Sequence, residues 1–140
     1  MKQEDKDLLL KDLSARLPYG VCVEIDCKFI ESGRHTVRLC EVNASGILKN
    51  IEALNVKPYL RPLSSMADEE WEDYQKLKMS DWVTGDINGT FINAGTIVDW
   101  LNAHHFDYRK SYEPDKKEWI TMIKRGLSIE VTKENNPYKN

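Results

Sequence analysis

The spacing of the apolar residues changes at one point in this chain, and that change constrains the fold more than any other feature. Before Pro18, Leu9, Leu13 and Leu17 recur every fourth residue, with Leu10 alongside and Asp and Lys on the other positions. This is the stripe of an amphipathic helix, expected over 4–16. Glu4, Asp5 and Asp7 lie early in it, where the helix dipole favours acids. Pro18 and Gly20 end it. After Gly20 the period falls to two. Val21, Val23 and Ile25 share one face and Glu24 and Asp26 the other, as a half-buried strand over 20–30 requires.

Further strands and helices are expected downstream. Residues 35–43 alternate around Val37 and Leu39, a turn follows at Asn43–Gly46, and 46–50 reads as a short third strand. Three such strands would make an antiparallel meander or a small curved barrel. Pro58 and Pro62 make 56–63 read as an irregular connector, pinned by Tyr59, Leu60 and Leu63. Ser64 or Ser65 is expected to cap a helix over 66–79, with Trp71, Tyr74 and Lys78 on one stripe. Asn88-Gly89 suggests a hairpin over 82–93. Ile97, Trp100, Leu101 and His104 suit a helix over 95–105. After Pro114 another helix is expected through Trp119, Met122 and Ile123, closed by Gly126. Leu127, Ile129 and Val131 then alternate as a last strand. The expected fold class is therefore α+β: a small antiparallel sheet or partial barrel packed by an N-terminal helix and two or three further helices. A single domain is expected over 1–132, with 133–140 a polar, frayed tail.

Composition narrows the function classes. At 140 residues, 41% hydrophobic and 31% charged, the chain can bury a core without a metal or disulfide. Its formal charge of −3 gives no general attraction to nucleic acid. Cys22, Cys27 and Cys40 form no Cys-x-x-Cys pair, which suits buried free thiols in a reducing compartment. The opening MKQEDKDLLLKDL lacks the pattern of a secretion signal, and no run approaches a membrane span. A cytoplasmic location is expected.

Candidate chemistry concentrates in Asp99-Trp-Leu-Asn-Ala-His-His-Phe-Asp-Tyr-Arg109. His104 and His105 point about 100° apart on a helix, so they do not converge on one metal. His104 and Asp107 would share a face if the helix continued, and a third ligand would have to come from elsewhere, such as His35. The segment also fits ordinary structural roles, with His104 half-buried at a helix end and Asp107 capping. A general acid/base role for His105 with Asp107 remains open, because histidine titrates near neutrality. No nucleophile elbow, phosphate loop, dinucleotide fingerprint or His-Glu-x-x-His accompanies it. Residues 84–95 resemble a calcium loop only superficially, with Thr84 and Gly95 where ligands are needed. Phe106, Tyr108, Arg109, Lys110 and Tyr112 mix rings and cations. Such a set suits a protein interface, a stack of single-stranded bases, or simple anchoring of the chain.

Four blocks carry a family resemblance. They are Leu8-Leu-Leu-Lys-Asp-Leu-Ser-Ala-Arg-Leu-Pro-Tyr-Gly-Val21, Val56-Lys-Pro-Tyr-Leu-Arg-Pro-Leu-Ser-Ser-Met66, Trp100-Leu-Asn-Ala-His-His-Phe-Asp-Tyr-Arg109 and Gly126-Leu-Ser-Ile-Glu130. In that order the chain resembles a family of small uncharacterised proteins from gut Bacteroides and their phages or integrated elements. The blocks cover under half of the chain, and Lys110 to Lys117 departs from the family pattern as an expansion. The resemblance implies a bacterial or phage origin and a shared fold, and supplies no mechanism. The expected function is a non-enzymatic accessory protein that binds another protein, with His105, Tyr108, Arg109 and Tyr112 as binding candidates. The alternative is a metal-assisted hydrolase or nuclease-like enzyme using His104, His105 and Asp107. Single-stranded nucleic-acid binding comes third. No cofactor, resident metal or membrane partner is implied. Whether the leucine stripe packs within one chain or across a homodimer is left open.

Overall fold

A computed structural model describes residues 1–26, 33–83 and 97–139. The leucine stripe folds as expected into helix α1, Gln3–Arg16, with Leu9 and Leu13 fully buried. A 3-10 turn over Leu17–Tyr19 carries the chain to Gly20, whose φ of 65° is the left-handed conformation glycine adopts without a Cβ penalty. Strand β1, Cys22–Asp26, follows and pairs antiparallel with β2, Arg34–Arg38.

Helix α2, Glu41–Lys49, replaces the expected turn and third strand. The residues responsible are Cys40 and Asn43. Asn43 Oδ1 accepts from the Cys40 backbone N–H at 2.9 Å, and the Asn43 amide donates to the Arg38 carbonyl at 3.0 Å. This cap by the Asn43 side chain starts a helix before β2 can extend to residue 43. Ala44, Ile47 and Ile51 are all buried and recur at helical rather than strand spacing. Cys22 is buried as expected, whereas Cys40 lies exposed at the helix start. Cys27 lies outside the described residues.

The proline-bearing segment is not a connector. It is β3, Lys57–Pro62, and it lies within the main sheet. The strand order is β2-β1-β3-β4, where β4 is Phe106–Asp107, and β7, Ile129–Glu130, also pairs with β3. Proline normally argues against an inner strand because it donates nothing to the ladder. Here each pairing with β3 is only two residues long. Pro58 and Lys57 face β1, Tyr59 and Leu60 pair with β7, and Arg61 and Pro62 pair with β4. The donor that matters, the Arg61 N–H, reaches the His105 carbonyl at 2.8 Å. The α+β class holds. The sheet is mixed, since β4 and β7 both run parallel to β3, and no closed barrel forms among the described residues.

Helix α3 spans Asp68–Val83, and helical residues 97–103 form α4. Neither Ser64 nor Ser65 caps α3. The Ser65 hydroxyl donates to the Pro62 carbonyl, and Glu70 Oε1 takes the Ala67 N–H at 2.9 Å. Residues 84–93 of the expected hairpin lie outside the described residues, and 82–83 close α3. The helix expected after Pro114 is a hairpin instead. Strands β5, Lys110–Glu113, and β6, Glu118–Thr121, pair antiparallel and form a second sheet. Lys117 at φ 54° closes the four-residue turn. Only then does one helical turn, α5, Met122–Arg125, begin, capped by Thr121 and stopped by left-handed Gly126 as expected.

The core joins α1, β1, α2, β3 and the residues around α5. Leu9, Val23, Ile47, Leu60, Met122 and Leu127 belong to one buried cluster. The polar tail is not loose. The Tyr138 hydroxyl donates to the Tyr59 carbonyl at 2.7 Å and accepts the Cys22 N–H at 3.0 Å. Cys22 and Tyr59 would form the next rung after Val23–Pro58. The phenol thus bridges the rung that the β1–β3 ladder leaves open. No helix among the described residues is long and apolar enough to cross a membrane.

Candidate binding surface

The segment 99–109 turns out to be a structural junction. His104 sits on the turn after α4, with its ring centroid 4.2 Å from that of Trp100 and its Nδ1 2.9 Å from the Trp100 carbonyl. A carbonyl can only accept, so Nδ1 carries the proton. His105 turns the chain out of the helix at φ 62°, an uncommon conformation for a residue with a Cβ. Its ring stacks on Tyr138 at 3.7 Å and 7°. Burial, reinforced by the positive charges of Arg16, Arg38 and Arg61, lowers its pKa to about 4. The neutral imidazole is therefore the state at physiological pH.

Asp107 is buried and accepts the N–H groups of Met122 at 3.4 Å and Ile123 at 2.9 Å. Burial pushes its carboxyl upward, while the hydrogen bonds from Ile123, Thr121 and Met122 pull the other way. Tyr108 donates to Asn102 Oδ1 at 2.9 Å. Arg109 Nε meets Asp12 Oδ1 at 3.0 Å, and Arg16 Nε meets Asp12 Oδ2 at 2.8 Å. Asp12 and Arg16 are both fully buried, and Arg16 also donates to the Phe106 carbonyl. The two guanidiniums lie 5.2 and 5.3 Å from the Tyr108 ring centroid. This network ties α1 to β4 across the chain.

Each of the three alternative catalytic candidates thus answers to a different partner: His104 to Trp100, His105 to Tyr138, Asp107 to the start of α5. Among the described residues no group of three or more His, Cys, Asp or Glu is placed to hold a metal ion. Of the four binding candidates, His105, Tyr108 and Arg109 are engaged inside the chain. Only Tyr112 faces outward, at 47% exposure.

Tyr112 has a neighbour that sequence reasoning placed in a helix. Trp119 is its cross-strand partner, with ring centroids 5.7 Å apart, and is 65% exposed. Strand alternation sorts the hairpin into two faces. Lys110, Tyr112, Trp119 and Thr121 share the outer one. Ser111, Glu113, Glu118 and the buried Ile120 share the inner one. The paired Glu113 and Glu118 would repel each other, and Arg125 relieves them by approaching Glu113 at 3.4 Å. The usable signal was local: Tyr-Glu-Pro-Asp-Lys-Lys-Glu-Trp-Ile-Thr has a turn between two alternating runs.

A groove of about 350 Å³ adjoins this face. It lies where β3, β4 and β7 end side by side, at Pro62, Asp107 and Glu130, and where the chain leaves each strand separately. Pro62, Leu63 and Ile123 give it an apolar wall, and Lys110, Thr121 and Lys124 line it with polar ends. Lys110 and Thr121 therefore belong to both the groove and the aromatic face. No protein-family model, no curated protein and no solved structure matches this chain.

Proposed function

We propose that this protein is a non-enzymatic binding module for another protein, and that the outer face of the β5–β6 hairpin is its contact surface. The observation that carries this reading is the exposed Tyr112–Trp119 pair. Two large rings held by a strand ladder offer rigid apolar area at little conformational cost, the usual make-up of an interface hot spot. Burying them inside the chain is not required for folding, because Ile120 on the opposite face supplies the hairpin's core contact. The blocks resembling small proteins of gut Bacteroides and their mobile elements favour an accessory role. The free thiols of Cys22 and Cys40 suit a reducing cytoplasm.

The test places a photo-crosslinking amino acid at position 119 and, as a control, at exposed Glu52, in the cells that express the protein. A discrete protein adduct from position 119 alone is expected, and it should vanish when Tyr112 is also changed to Ala. Equal adducts from both positions, or none from 119, would overturn the reading. Thermal unfolding of Trp119→Ala should stay within about 0.5 kcal/mol of the parent, as for an exposed residue.

A further inference from the structure

We infer that the segment recognised by this surface is an extended acidic peptide, whose carboxylates meet Lys110 and Lys124 and whose apolar side chain enters the groove between them. The inference rests on the protein-binding reading above and names the partner's chemistry.

Charge complementarity is the first ground. The chain as a whole is acidic, with a formal charge of −3. Residues 110–125 reverse this, with five basic and three acidic side chains. The sorting by face sharpens the contrast. Glu113 and Glu118 lie on the inner face, and Glu113 is tied to Arg125. No carboxylate of β5 or β6 shares the outer face with Lys110, Tyr112, Trp119 and Thr121. Lys116 and Lys117 extend the positive charge into the exposed turn beside Asp115.

The groove supplies the second ground. Two carboxylates line it, and only one is presented to solvent. Asp107 is 2% exposed and accepts two backbone N–H groups, so its charge is already answered. Glu130 is exposed and stands against two lysines, Lys110 and Lys124. An incoming anion is therefore favoured at the mouth, while Pro62, Leu63 and Ile123 favour an apolar group within.

Geometry decides between a peptide and a compact ligand. The aromatic pair and the groove occupy one continuous face, because Lys110 and Thr121 line the groove and stand one strand-repeat from Tyr112 and Trp119. Residues two apart on a strand are separated by about 6.5–7 Å. A ligand touching both features must span that repeat, as an extended chain does with alternate side chains. The lysines contribute charge without base-specific readout, and the apolar wall of Pro62, Leu63 and Ile123 suits a peptide side chain better than a nucleic acid backbone.

The experiment uses the full chain and three fluorescein-labelled probes followed by polarisation. They are a twelve-residue peptide of alternating Glu and Leu/Ser, its Gln-for-Glu counterpart, and a twelve-nucleotide thymidine strand. The acidic peptide should bind at least ten-fold more tightly than the Gln peptide. The double variant Lys110→Glu, Lys124→Glu should lose at least ten-fold of that affinity, and Lys49→Glu, far from the surface in sequence and on α2, should lose none. Indifference to the Gln exchange, or an undiminished double variant, would overturn the inference. So would preferential binding of the oligonucleotide, which would assign the face to nucleic acid. A position-119 protein adduct combined with failure of the acidic peptide would sink this inference and leave the protein-binding reading standing. Failure of both would sink both.

Discussion

Acid should unfold this protein through His105, and the size of the effect follows from its environment. The perturbation is a fall in pH from 7 to 4, compared between the parent and His105→Asn. Asparagine tolerates the left-handed backbone at this position and does not titrate. In the folded chain the imidazole is held near a pKa of about 4 by burial and by the surrounding cations, against 6.5 for an exposed histidine. Above 6.5 both folded and unfolded chains carry it neutral. Between 6.5 and 4 the unfolded chain takes up a proton that the folded chain refuses, so stability falls as pH falls. Linkage gives a loss of about 2 kcal/mol by pH 5 and about 3 kcal/mol by pH 4.

The difference between the two proteins isolates this contribution. Asp107, whose carboxyl is raised by burial, and Glu70, whose carboxyl is lowered by its hydrogen bonds with Arg61, titrate in both. The lost stacking of His105 on Tyr138 offsets the variant by a constant amount while the histidine stays neutral. Urea unfolding at successive pH values, followed by far-ultraviolet circular dichroism, measures both curves. The parent should lose its advantage, or deepen its deficit, along a curve centred between pH 4 and 6.5. Two curves that stay parallel within about 0.5 kcal/mol over this range would refute the burial argument.

Two other perturbations probe the same region. Asp12→Asn leaves the fully buried guanidinium of Arg16 without a charged partner and also releases Arg109, so a loss of about 3–5 kcal/mol is expected in denaturant; a loss below about 1 kcal/mol would show that the pair is not what holds α1 to β4. Tyr138→Phe keeps the ring on His105 but deprives the Cys22 N–H and Tyr59 carbonyl of their shared hydroxyl, costing about 1–3 kcal/mol. Hydrogen exchange at the Cys22 amide should accelerate in that variant while the α1 core amides keep their order of protection, and unchanged exchange at Cys22 would count against the bridging role.

Parts of the fold were legible because local periodicity and burial coincided. The α1 stripe, the β1 alternation and the glycine stop after α5 each depend on residues within one or two turns. Where the structure departs from local pattern, the cause is shared. At 46–50 apolar spacing was too short to distinguish strand from helix, and the Cys40–Asn43 cap decided it. At 114–125 a helical pattern through Trp119, Met122 and Ile123 concealed a two-residue alternation that ends at Thr121. Pro58 and Pro62 suggested a connector, because a sequence does not show that three different strands will share the edges of β3 in two-residue stretches.

The site was legible only in composition. That rings and cations gather near 104–112 is plain from the sequence, and so is Tyr112 as a candidate. Which of them face solvent is not, because exposure depends on residues 33 to 97 positions away. Asp12 captures Arg109, Phe106 receives Arg16, and Tyr138 covers His105. Local sequence determined the elements whose driving force is short-ranged: hydrophobic stripes, caps and turns. Tertiary structure decided the parallel pairing of β3 with β4 and β7, the buried Arg16–Asp12–Arg109 network and the exposed Tyr112–Trp119 face. Those depend on desolvation, and a side chain's access to water is a property of the assembled chain rather than of its neighbours in sequence.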